Sequence, residues 1–113
     1  MTAPAAPLGE AGLIWCPFPD EAAARTAATA LLDARLIACA NILPGMLSLF
    51  SWRGQRGENA ECGALFKTSA EALAPAMARL AQLHPYDSPA IAGWTVAADN
   101  GTLAWLRAET GGT

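Results

Sequence analysis

The 113-residue chain carries ten Asp and Glu against seven Lys and Arg, a formal net charge of −3, and charged residues make up only 15% of it. An acidic chain with a single lysine offers no basic footprint for a nucleic-acid backbone, and no apolar run approaches the ~18 residues of a membrane span. At 11.7 kDa, area scaling buries roughly 65% of the unfolded surface, enough for one core and too little for two.

Residues 1–11 carry two prolines, no basic stretch and no periodicity, so they are expected to form a flexible tail rather than a signal peptide. One domain is expected over residues 12–110. Gly12 to Cys16 is a short apolar run before Pro17 and Pro19, which suits a buried strand. Asp20 can cap a helix whose apolar face is Ala24, Ala27, Ala28, Leu31 and Leu32. Leu36 to Leu43 and Met46 to Trp52 both look extended. Pro44-Gly45 between them favours an edge strand or a bulge, because proline lacks the donor a central strand needs.

The polar, glycine-rich Arg53 to Ala60 is expected to be a hairpin connection, with Glu61 to Thr68 returning as a strand. That strand turns Cys62, Ala64 and Phe66 to one face. Ser69 can cap a second helix, interrupted by Pro75 and ended by Pro85. Tyr86 to Pro89 is a turn, and Ala90 to Ala97 a fourth strand. Thr102 can cap a short last helix through Leu103, Trp105, Leu106 and Glu109.

The order is β-α-β-β-α-β plus a terminal helix. It predicts an α+β, ferredoxin-like antiparallel sheet with both long helices on one face. The other face would have only the last helix as cover. The shortage of charge then has a structural reading: a second copy buries that face.

Several segments resemble the CutA family of divalent-cation tolerance proteins. They are Cys16 before Pro17, the run Ala38-Cys39-Ala40-Asn41-Ile42-Leu43-Pro44-Gly45, and Ser48-Leu49-Phe50-Ser51-Trp52-Arg53-Gly54. Phe66-Lys67-Thr68, His84-Pro85-Tyr86-Asp87-Ser88-Pro89 and Leu103-Ala104-Trp105-Leu106 complete the set. Phe50, where a tyrosine is more usual, and Gly93-Trp94-Thr95-Val96 depart mildly from the family pattern. The resemblance implies a homotrimer with PII-like architecture and a role in tolerance of copper or another divalent cation. It also implies Cys16, His84 and Glu61 as a soft-metal constellation, part of it assembled across a subunit boundary.

The residues leave plainer readings open. Three cysteines without a CxxC read as reduced thiols in a cytoplasmic protein. Cys16 and Cys39 also suit small buried hydrophobes. His84 can serve the carbonyls at a helix C-terminus. Trp52, at a strand end, suits an interface anchor. Lys67, the only lysine, can hold an anion or form an ion pair, and Tyr86 can line a cleft. Trp52, Lys67 and Tyr86 are therefore the candidates for an intersubunit cleft in a PII-like sensor that binds a small anionic ligand. The chain has no GxSxG, P-loop, GxGxxG or HExxH, and a Cys16/His84 pair has no third orienting group, so no enzymatic activity is expected.

Overall fold

A computed structural model describes residues 8–111. Its elements run β1 (Gly9–Phe18), α1 (Glu21–Asp33), β2 (Cys39–Trp52), β3 (Gln55–Ser69), α2 (Leu73–Leu83), β4 (Ala92–Ala98) and α3 (Asn100–Glu109). The four strands form one antiparallel sheet in the order β2-β3-β1-β4. Strand β1 begins at Gly9, so residues 9–11 belong to the sheet and not to the expected tail. Residues 1–7 of that tail lie outside the described residues.

Alternation along β1 and β3 sends Ile14, Cys16, Phe18, Cys62, Ala64 and Phe66 to the helix side, all essentially buried. They meet Ala24, Ala27, Ala28 and Leu31 of α1 and Ala76 and Leu80 of α2. The alanines let α1 lie close to the sheet. Leu32, expected on this face, is exposed instead. Asp20 caps α1 as expected, its carboxylate accepting from the Ala23 N–H at 2.8 Å.

The second helix starts at Leu73, which puts Pro75 in its first turn, where the missing N–H costs no helical bond. Ser69 Oγ instead accepts from the Ala72 N–H in the turn before it. Helix α3 is capped by Asp99 and not by Thr102: the carboxylate accepts from both the backbone N–H and the hydroxyl of Thr102. It lies on the opposite sheet face, where Leu106 joins Ala11 and Ala98 in a second small core.

The main departure from expectation is the hairpin. Arg53 to Ala60 is not a loop. Gln55 already pairs with Trp52, leaving Arg53-Gly54 as a two-residue turn. Both turn residues have positive φ, 52° and 78°, as a type I′ turn requires. The pairing imposes strand on a polar segment with no alternation of its own. Pro44-Gly45 sits, as expected, at a bulge on an edge strand: the register shifts between Leu43 and Met46.

Beyond that bulge β1 has ended. Met46–Trp52 and Gln55–Glu61 continue as a two-stranded arm, since β1 pairs with β3 only from Cys62 onward. The arm stretches the molecule to 56 × 36 × 23 Å with a Cα radius of gyration of 15.9 Å, against about 13 Å for a compact domain of ~100 residues.

Candidate functional site

At the root of the arm the C-terminal end of β1, the middle of β3 around Glu61 and the loop after α2 meet. His84 anchors that loop. It is buried, stacked on Phe18 at 4.5 Å between ring centroids, with Tyr86 on it at 4.8 Å. Its Nε2–H donates to the Pro17 carbonyl at 2.8 Å, and its Nδ1 accepts from the Tyr86 N–H at 3.1 Å. The tautomer follows from the partners, because a carbonyl can only accept and an amide N–H can only donate. His84 therefore does not serve the carbonyls of its own helix through its ring. It ties the loop to β1.

The Cys16 thiol donates to the same Pro17 carbonyl at 3.6 Å. Burial pushes its pKa up to about 12, with the Glu61 carboxylate adding to the shift. Glu61 Oε2 in turn accepts from the Tyr86 hydroxyl at 2.7 Å. Partial burial, then the bond to Glu61 and its charge, raise Tyr86 to about 12, so the phenol stays a donor.

Cys16, His84 and Glu61 are thus neighbours, but within the chain they do not make a preformed chelate. Both His84 nitrogens are engaged by backbone, the Cys16 thiol holds its proton, and Glu61 is bonded to Tyr86. Among the described residues no group of three His, Cys, Asp or Glu side chains is disposed to hold a metal ion. Metal donors must be deprotonated and free of such partners.

Of the cleft candidates, Trp52 and Tyr86 come together. They line a cavity of about 390 Å³ with Glu61, Phe50, Ser48 and Asn59. Lys67 does not join them. It faces Leu13 and Cys39 across the sheet, six residues further along β3 than Glu61, or roughly 20 Å at ~3.3 Å per residue. The cleft of one subunit therefore centres on a carboxylate, not on a cation. Sequence reasoning passed over Phe50, Ser48 and Asn59 as cleft residues. The available signal was their period-2 register with Trp52 and Glu61.

The raised thiol and phenol make stability sensitive to alkali. Unfolded, Cys16 and Tyr86 titrate near 9.0 and 10.0; folded, both titrate near 12. Between those values the unfolded chain has released protons that the folded one still holds, so stability falls as pH rises from about 9 to 12. The melting temperature should decline through that window and decline less in Cys16→Ala, measured by scanning calorimetry. An equal slope in the two proteins would rule out the buried thiol as a cause.

The family model described as "CutA1 divalent ion tolerance protein" matches residues 12–109. The divalent-cation tolerance protein CutA of Thermus thermophilus is 43% identical over 94 residues, covering 82% of this chain and 91% of the relative. Its counterpart from Pectobacterium atrosepticum is 38% identical over 104 residues, covering 91% of this chain and 94% of the relative. Among solved structures, the T. thermophilus divalent cation tolerance protein matches with a TM-score of 0.83 at 39% identity, over 89% of this chain and 99% of that one. CutA from Xylella fastidiosa matches with a TM-score of 0.84 at 32% identity, over 89% of this chain and 98% of that one. Near-complete coverage in both directions leaves one conclusion: the chain belongs to the CutA family of divalent-cation tolerance proteins.

Proposed function

We propose that this protein supports divalent-cation tolerance as a cytoplasmic, non-enzymatic homotrimer of ferredoxin-like, PII-like subunits, working through the cleft at the root of its arm. The observation that carries this is the convergence of Trp52, Tyr86 and Glu61 from three separate segments on one cavity of ligand size. The trimer is supported by the arm. Leu47 and Leu49 remain 61% and 70% exposed along it, and a two-stranded hairpin is marginal without further partners. Three free thiols suit a reducing compartment.

Direct copper binding by Cys16, His84 and Glu61 is a second reading. Its support is the Glu61 carboxylate, close enough to raise the Cys16 pKa. It requires the thiol proton to leave and the His84 ring to give up a backbone partner.

Growth on copper separates the two. In cells lacking the native gene, the cleft variant Trp52→Leu should lose the tolerance that the unaltered gene restores, and Cys16→Ser should keep it. Loss in Cys16→Ser with retention in the cleft variant would instead favour the thiol as ligand.

A further inference from the structure

We propose that the arm-root cleft binds a small organic ammonium ion, seated between the Glu61 carboxylate and the aromatic walls formed by Phe50, Trp52 and Tyr86. This rests on the reading of the cleft as the working site and gives it a ligand class.

Three observations carry it. The first is shape. The cavity of about 390 Å³ falls within the size range of small-molecule sites. The second is the wall chemistry. Three aromatic side chains and a carboxylate surround it, with Ser48 and Asn59 as further polar groups. Aromatic faces attract cations through their quadrupoles, and a carboxylate supplies the counter-charge. Trp52 already shows this affinity: the Arg53 guanidinium lies 5.5 Å from its ring centroid. Arg53 is not itself among the residues that line the cleft.

The third is the sign of the local field. Among the described residues, no Lys or Arg forms an ion pair with Glu61. The Tyr86 hydroxyl takes one carboxylate oxygen, Oε2, and leaves Oε1 for a ligand. An anion would meet this field unfavourably, and Lys67 is too distant to offset it. A neutral ligand would leave the Glu61 charge uncompensated in a partly desolvated site.

The test is isothermal titration of the purified full-length protein with choline, with butylammonium, and with 3,3-dimethyl-1-butanol. The last is the uncharged isostere of choline. Choline or butylammonium should bind at least ~10-fold more tightly than the neutral alcohol. The ratio between the two amines distinguishes a methylated from a primary ammonium ligand. Glu61→Gln keeps an acceptor for the Tyr86 hydroxyl and so preserves the wall, and it should erase the preference for charge. Trp52→Leu should weaken both amines by roughly 3- to 30-fold. Butyrate should not bind.

Equal affinity for choline and the neutral alcohol overturns the proposal, as does unaltered choline binding in Glu61→Gln. A cleft already filled by a second copy of the chain gives no amine binding at any concentration, which also overturns it. Amine binding without loss of copper tolerance in the cleft variants would uphold the ligand class and sink the tolerance reading. Loss of tolerance without amine binding would do the reverse.

Discussion

Changing Leu47 and Leu49 together to aspartate should dissociate the proposed trimer into monomers at micromolar concentration. The two side chains are 61% and 70% exposed in the isolated subunit. They lie at alternate positions on one side of β2, opposite Ala60 and Glu58. Neither belongs to a buried core, so the subunit's own packing is untouched. Burying one leucine fully is worth about 1.5–3 kcal/mol, and a closed trimer repeats each position three times. An unpaired carboxylate on the same surface reverses the sign, because its desolvation costs several kcal/mol. Sedimentation velocity should show one species near the 11.7 kDa chain mass for the double variant and a threefold heavier one for the unaltered protein. A variant that sediments like its parent would remove this face from the interface.

Replacing Phe18 with alanine should cost about 3–5 kcal/mol and lower the melting temperature by roughly 10–20 °C at fixed protein concentration. Phe18 is fully buried, meets Phe66 edge-on at 6.3 Å and carries His84 on its face. Its loss does more than leave a cavity. The His84 ring loses the surface that orients it toward Pro17 and the Tyr86 N–H. Hydrogen exchange should therefore quicken at Tyr86 more than in α1, even where the variant remains folded. A fall of less than about 5 °C, or uniform exchange across the chain, would contradict this coupling between core and cleft.

The order of elements was legible because α1 and the second half of β3 each carry a clear period and β1 is an apolar run before two prolines. Ala24, Ala27, Ala28 and Leu31 repeat as a helix face, and Cys62, Ala64 and Phe66 as a strand face. The first half of β3 was not legible. Arg56, Glu58 and Asn59 have no apolar side, and their strand conformation comes from pairing with β2 through the Arg53-Gly54 turn. Caps were read unevenly. Asp20 is the good acceptor just before α1, whereas Asp99 and Thr102 are both candidates at the start of α3, and Asp99 takes the cap with Thr102 inside the first turn.

The site divides in the same way. Trp52 at a strand end and Tyr86 in a turn are local signals, and the structure brings both to one cavity. Lys67 was drawn in by being the only lysine, a property of composition with no spatial content. For His84 the decisive fact is tertiary: Nε2 meets the Pro17 carbonyl from across the fold while Nδ1 takes the nearby Tyr86 N–H, so a residue that looks like a ligand acts as a clamp.

The proposed state of the protein is a cleft-bearing trimer without a preformed copper chelate. Native mass spectrometry of the full-length protein titrated with copper tests both halves together. A trimer that retains no stoichiometric copper after buffer exchange is expected, with the same result for Cys16→Ser. A monomer, or three copper ions per trimer that disappear in Cys16→Ser, would contradict it.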